Sequence, residues 1–196
     1  SVAQCCKGPA KQRVHRALER ILHRQLQAAG AEADLERVVP DLFCGVPGSE
    51  EGREAIMAVV AHFPGGCRQL WFDVTDRCPH AARYNEVPAR SSSTIPGHAA
   101  SEGVREKRQV YGSTFVLPIA FETYGRPASE TVNILEDVVL LAAQHAKDRW
   151  GAPRLLQRWL LVLQRAVLWG VADLDLLALG AAASATEARI ARAALL

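Results

Sequence analysis

Apolar residues recur every three or four positions near the start of the chain, which is the pattern of an amphipathic helix. They are Val14, Leu18, Ile21, Leu22 and Leu26. Gly30 follows them and can adopt the left-handed conformation that ends many helices. The pattern therefore predicts a helix over residues 11–29 with one face in the core.

Short apolar runs then predict a group of β-strands. Residues 33–43 alternate enough for a strand, which Pro40 interrupts. The runs over residues 55–63 and 70–76 flank a Pro-Gly-Gly turn at residues 64–66. Two apolar runs joined by so short a turn predict a hairpin.

After the hairpin the pattern predicts a long loop, a helix and one more strand. Residues 77–97 are rich in proline and serine, and irregular segments of that length inside a domain are usually functional or mobile. Residues 98–112 have helical spacing and end at Gly112. Residues 114–125 form the last predicted strand.

The last third of the chain is predicted to be helical. A helix over residues 128–150 begins with a capping-box pattern, in which Ser129 or Thr131 lies near acids. The next helix, over residues 153–180, is strongly apolar. Its predicted packing residues are Trp159, Leu163, Val167 and Trp169. The predicted order is helix, three strands, helix, strand and a helical region, which indicates an α/β fold.

Composition is ordinary for a globular protein and excludes few classes. The chain has 196 residues, of which 49% are hydrophobic and 22% charged, with a net charge of +2. No run of about 18 or more uncharged apolar residues exists, so we expect no membrane span. The cysteines lack CxxC spacing, which predicts reduced thiols of an intracellular protein. Because the chain does not begin with methionine, we expect further sequence upstream.

Arginines form a second stripe on the first predicted helix. Arg13, Arg16, Arg20 and Arg24 are three or four residues apart. A solvated helix face and a face that contacts phosphates are both consistent with this spacing.

A candidate site combines Asp73 with Lys107 and Tyr111. Asp73 interrupts the apolar strand, while Lys107 and Tyr111 are four residues apart and so share one helix face. Carboxylates hold Mg²⁺, and a lysine can orient a water molecule or neutralise developing charge. These residue types are those that metal-dependent phosphodiester cleavage requires.

Five stretches occur in order over most of residues 7–126: KGPAKQRVHRALERIL, EAIMAVVAHFPGG, WFDVTDRCPHAARY, REKRQVYG and LPIAFETYGR. Together they resemble the C-terminal restriction-endonuclease-like domain of non-LTR (LINE-type) retrotransposon polyproteins. The versions abundant in protist genomes, including dinoflagellate ones, are the most similar. The order and joint presence of the stretches carry the resemblance, since no single motif is decisive.

The resemblance implies a PD-(D/E)xK nuclease core, with one acid on the second strand and another on the third. Asp73 matches the acid of the third strand. In these retroelements the lysine has moved from the third strand to the following helix. Thr75 therefore stands at the older lysine position, Lys107 matches the helix-borne lysine, and Tyr111 is its companion.

The sequence departs from the family pattern at the first acid. Relatives carry an aspartate where this chain has Ala58, and alanine cannot ligate a metal. Glu36 and Asp41 are the candidates to join Asp73 as metal ligands in its place. Loss of one acid should weaken Mg²⁺ binding, so we expect a degenerate copy.

The implied function is nicking of target DNA for primed reverse transcription in the nucleus, with Mg²⁺ or Mn²⁺ as cofactor. The partners are double-stranded DNA and an upstream reverse transcriptase domain. The residues expected to contact DNA are Arg13, Arg16, Arg20, Arg24, His80 and Arg83. Cys5 and Cys6 could be the end of a zinc knuckle, or unremarkable thiols.

The implied organisation has three parts: an upstream remnant over residues 1–9, the nuclease-like domain over residues 10–126, and a helical region over residues 127–196. Two other interpretations remain open at this point. One is a catalytically inactive module that binds DNA or is a relic, which Ala58 favours. The other is a helical interaction protein built on residues 128–180.

Overall fold

The structure, a computed structural model, describes residues 9–39, 55–66, 68–81, 86, 94–111, 116–145 and 151–169. The elements are α1 (Pro9–Ala28), β1 (Glu32–Val39), β2 (Ala55–His62), β3 (Gln69–Arg77), α2 (His98–Tyr111), β4 (Val116–Glu122), α3 (Ser129–His145) and α4 over residues 152–169. The predicted order of elements is confirmed. The predicted features at Cys5, Cys6, Pro40, Asp41, Arg83 and Gly112, and the helix beyond residue 169, lie outside the described residues.

The four strands form one mixed sheet in the order β1-β2-β3-β4. The pairs β1-β2 and β2-β3 are antiparallel, and β3-β4 is parallel. The turn between β2 and β3 closes with a hydrogen bond of 2.9 Å from the Gly66 N–H to the Phe63 carbonyl. Gly65 has a φ of 80° in this turn, a conformation that glycine adopts without steric cost. The predicted hairpin and the predicted α/β class are both confirmed.

Helix α1 ends as its sequence predicts. Gly30 has a φ of 89°, and the Ala31 N–H donates to the Leu26 carbonyl at 3.0 Å. This bond reaches back five residues and closes the last turn with the geometry of a Schellman cap. The stripe Val14, Leu18, Leu22 and Leu26 is buried.

Neighbouring residues of β3 point to opposite faces of the sheet, so their contacts show which helices cover each face. Phe72 and Val74 belong to the main hydrophobic cluster with residues of α1, α3 and α4. Asp73 lies between them in sequence and contacts α2 instead. The sheet therefore carries α1, α3 and α4 on one face and α2 on the other.

The C-terminal helices share this main cluster with the sheet. Leu135 and Val138 of α3 and Leu163 of α4 are buried in the same cluster as Phe72 and Phe121. The helices therefore complete the core that the strands begin.

One packing prediction for α4 is wrong. Trp159, Leu163 and Val167 are buried, but Trp169 is 71% exposed. The buried residues are four positions apart and share a face, whereas Trp169 is two residues beyond Val167. A step of two residues turns the side chain by about 200° around the helix.

None of the helices in the described ranges is long and apolar enough to cross a bilayer.

Candidate functional site

Asp73, Lys107 and Tyr111 meet in one buried cluster on the α2 side of the sheet. The Lys107 Nζ and the Tyr111 hydroxyl each lie 2.6 Å from Asp73 Oδ2. Asp73 is only 5% exposed, while the Lys107 side chain is 24% exposed and keeps contact with solvent. A carboxylate from a strand is thus held by two helix donors that follow it in sequence by 34 and 38 residues.

The spacing within α2 creates this double contact. Lys107 and Tyr111 are four residues apart, so their side chains project from one face of the helix. That face lies against β3, and the Lys107 ammonium is 6.0 Å from the centre of the Tyr111 ring. Both side chains therefore converge on the same oxygen.

Close packing of α2 against β3 sets the distance. A Cβ on Gly103 would approach Arg77 Cγ and Nε to 3.0 Å and Thr75 Cγ2 to 3.3 Å. Only glycine leaves room for the two strand side chains at this point. Thr75 is therefore buried against the helix backbone, at the position that the resemblance assigns to the older lysine.

Two further contacts fix α2 on the sheet. Buried Glu122 at the end of β4 accepts the Ala99 N–H in the first turn of α2, at 3.2 Å. A carboxylate there is favoured by the helix dipole. Glu122 Oε2 also lies 4.0 Å from Arg126, at the limit of an ion pair. The Arg77 guanidinium donates to Glu106 at 2.6 Å.

Sequence reasoning missed His15 and Glu19 on α1. His15 Nε2 lies 2.9 Å from Glu19 Oε1, and Glu19 is buried. The pKa of His15 is raised, chiefly by the hydrogen bond to Glu19 and further by the negative charges of Glu19, Asp73 and Asp76, while burial opposes the shift. The His-Glu pair at a spacing of four on the buried side of α1 was the available signal.

Ala58 lies on β2 where the pairing with β3 ends. Val59 pairs with Phe72, and Ala58 and Asp73 are the next residues along the two strands. Ala58 is buried in the main hydrophobic cluster. The position that the resemblance assigns to the first acid is thus filled by a methyl group packed in the main cluster, whereas the Asp73 carboxylate faces α2.

Glu36, another expected metal ligand, does not join Asp73. Glu36 is exposed on β1 and borders a depression on the α1 side with Arg16, Glu19 and Arg20, whereas Asp73 faces α2. Asp41 lies outside the described residues. Glu36 also has a φ of 49°, which is uncommon for a residue other than glycine.

The described residues do not fit a bound metal ion. Within these ranges no three His, Cys, Asp or Glu side chains are grouped so that they could hold one. Asp73 Oδ2 is already engaged by Lys107 and Tyr111. A Mg²⁺ ion takes several oxygen ligands in near-octahedral geometry, which a single partly engaged carboxylate does not supply.

The residues expected to contact DNA fall on different surfaces. Arg13, Arg16, Arg20 and Arg24 are all exposed on the outer side of α1. His80 Nε2 lies 2.6 Å from the Tyr124 hydroxyl, and the two rings meet edge to face. Arg83 is outside the described residues. The arginine stripe and the Asp73 cluster lie on opposite sides of the sheet.

A search for similar proteins found no match to a protein-family model, a curated protein or a solved structure.

Proposed function

We propose that this chain is a degenerate DNA endonuclease domain of the non-LTR retrotransposon type, which retains DNA binding. One observation carries the proposal: Lys107 and Tyr111 both contact Asp73 Oδ2. The resemblance assigns catalytic roles to these three residues alone, and they are far apart in sequence. Their convergence is a geometric condition that the nuclease interpretation had to meet.

Degeneracy is supported by the chemistry around Asp73. Ala58, at the position that the resemblance assigns to the first acid, is buried in the main hydrophobic cluster, and the described residues offer no group of three metal ligands. Lys107 neutralises the charge of Asp73 and remains partly exposed, so the cluster can still face a phosphate. The order of elements and the mixed sheet support the restriction-endonuclease-like core.

The resemblance extends the proposal to the surroundings of the chain. It would act in the nucleus on double-stranded DNA, as the part of a polyprotein that follows a reverse transcriptase domain. Binding is assigned to the arginines of α1, which contact backbone phosphates and so carry no sequence information.

Plasmid nicking tests the catalytic part. We compare the unmodified chain, Asp73→Ala and Ala58→Asp with Mg²⁺, with Mn²⁺ and with EDTA. Asp34→Ala is the matched control, because Asp34 is an exposed aspartate on β1 that pairs only with Arg37 among the described residues. We expect no nicking by the unmodified chain, and binding of the same plasmid in a gel-shift assay.

The Ala58→Asp variant decides how much of the site is left. Nicking gained in Mg²⁺ and lost again on adding Asp73→Ala would mean that one substitution disabled the site. Because Ala58 is buried, a thermal melt must accompany this variant. Absence of both nicking and DNA binding in the folded unmodified chain would contradict the proposal.

A working nuclease is the second candidate, favoured by the intact contacts among Asp73, Lys107 and Tyr111. It predicts metal-dependent nicking by the unmodified chain that Asp73→Ala abolishes and Asp34→Ala leaves unchanged.

A further inference from the structure

Two helices on the same side of the sheet carry rows of exposed arginines. On α1 these are Arg13, Arg16, Arg20 and Arg24, and on α4 they are Arg154, Arg158 and Arg165. All seven are exposed, and none forms an ion pair with another described residue. Residues 152–169 contain no acid, and the only acid of α1 is buried Glu19, which contacts His15.

The cations of α2 behave differently. Lys107 pairs with Asp73, Arg105 with Glu102, and Arg108 with Glu130. On β1, Arg37 pairs with Asp34. Cations on a solvated surface usually pair with nearby carboxylates in this way. The arginines of α1 and α4 form no such pair with a described residue, which favours an anionic partner from outside the chain.

The arginines of the two helices belong to one surface. Gln25 Nε2 of α1 donates to the Trp159 carbonyl of α4 at 3.4 Å. Beside this contact a depression of about 350 Å³ is bordered by Arg24 and Arg158. A neighbouring depression of about 360 Å³ is bordered by Arg154 and Arg158. Among the described residues, no acid borders either depression.

We propose that α1 and α4 together form a binding face for the sugar–phosphate backbone of duplex DNA, on the opposite side of the sheet from Asp73. This inference rests on the proposed DNA binding and adds Arg154, Arg158 and Arg165 to it. The seven arginines are called the basic face below.

The spacing of the charges favours a repeating polyanion. The arginines of α1 are three or four residues apart, a rise of about 4.5–6 Å. On α4, Arg154 and Arg158 have the same spacing and Arg165 lies two turns further on, about 10.5 Å along the axis, so each helix presents a row of cations. Arginine donates in a planar fork that matches phosphate oxygens. A row on each of two adjacent helices can follow a charged backbone, whereas a single small anion would use only one or two of the arginines.

The position of the basic face has a mechanistic consequence. DNA held there lies across the sheet from the Asp73 cluster, so the face anchors a duplex and does not present the strand for cleavage. DNA binding can therefore persist in a chain whose catalytic cluster has decayed.

The test measures binding of the full chain to a fluorescent duplex oligonucleotide by anisotropy over a range of NaCl concentrations. The double variant Arg154→Gln/Arg158→Gln is compared with Arg16→Gln/Arg20→Gln. The matched control is Arg37→Gln/Arg105→Gln, which also removes two exposed arginines, each paired with an acid elsewhere on the surface. Thermal melts establish that each variant is folded.

We expect both basic-face variants to weaken binding at low salt by roughly tenfold or more, with the control close to the unmodified chain. Each lost phosphate contact should reduce the slope of log K against log salt by about 0.9, so each double variant should lose between one and two units. This salt signature distinguishes lost backbone contacts from a general loss of fold.

Three results would overturn the inference. If Arg154→Gln/Arg158→Gln binds like the unmodified chain while Arg16→Gln/Arg20→Gln is weakened, α4 is not part of the face and the proposed function stands. If the unmodified chain binds no duplex at low salt, both proposals fail. If it binds phosphatidylserine vesicles through these arginines but no duplex, the face belongs to an anionic membrane surface.

Discussion

Among single residues, Tyr111 should contribute to stability through its hydroxyl. It donates to buried Asp73, so Tyr111→Phe removes a hydrogen bond to a charged acceptor. We expect the free energy of unfolding to fall by about 1.5–3 kcal/mol, measured by urea denaturation. Tyr124→Phe is the matched control, because Tyr124 is 48% exposed and its hydroxyl meets His80. Equal effects of the two changes would contradict a buried contact at Asp73.

The raised pKa of His15 makes a second prediction at this scale. Folding lifts the pKa above 6.5, mainly through the hydrogen bond to Glu19, so the protonated ring stabilises the folded state. That contribution is complete below the ordinary pKa and is lost as pH rises through the raised value. The difference in unfolding free energy between the unmodified chain and His15→Gln should therefore shrink as pH increases above 6.5.

Urea denaturation at a series of pH values measures this difference. Glu19→Gln serves as the companion variant, since it removes the largest cause of the shift and should flatten the pH dependence. A difference that stays constant or grows with pH would mean that His15 is not held by these carboxylates.

At the scale of elements, the contact between α2 and β3 depends on Gly103. In an exposed helix position, replacing glycine with alanine stabilises by about 1 kcal/mol. At Gly103 the new Cβ would meet Arg77 at 3.0 Å, so we expect Gly103→Ala to destabilise by about 1–3 kcal/mol instead. Ser101→Ala, at an exposed position on the same helix, should be close to neutral. A stabilising Gly103→Ala would show that α2 does not pack this closely.

Periodicity predicted the elements well because it reports which side of a helix or strand is apolar. The helix over residues 11–29 and the strand pair around residues 64–66 follow from such patterns alone. Thr131 shows the limit of this reasoning. The sequence pattern predicts Ser129 or Thr131 as the cap of α3, whereas the Thr131 hydroxyl accepts from the Ala120 N–H at 2.9 Å and donates to the Ala120 carbonyl at 3.2 Å. A local pattern cannot tell which partner the hydroxyl meets once α3 lies on β4.

For the candidate site too, local spacing was predictable from the sequence and tertiary contacts were not. The spacing of Lys107 and Tyr111 placed both on one face of α2, but their contact with Asp73 depends on how α2 crosses the sheet. His15 gave only an i, i+4 pair with Glu19, and its nearness to the charges of Asp73 and Asp76 arises from tertiary packing. The arginines of α4 were overlooked because their role depends on α4 lying beside α1.

In the whole molecule, the C-terminal helices and the sheet share one hydrophobic cluster, so we expect them to unfold together. Leu163 of α4 is fully buried in the cluster that contains Phe72 and Phe121, whereas Leu161, two residues earlier, is 48% exposed. The two leucines differ only in which side of α4 they occupy. They therefore form a matched pair for testing the shared core.

We expect Leu163→Ala to lower the free energy of unfolding by about 2–5 kcal/mol, because it leaves a cavity between α4 and the sheet. Leu161→Ala should change it by no more than about 0.5 kcal/mol. Urea unfolding followed by far-ultraviolet and near-ultraviolet circular dichroism should give coincident transitions in both variants, since sheet and helices share one core. Separate transitions, with Leu163→Ala affecting only one of them, would instead mean that the helical region folds by itself.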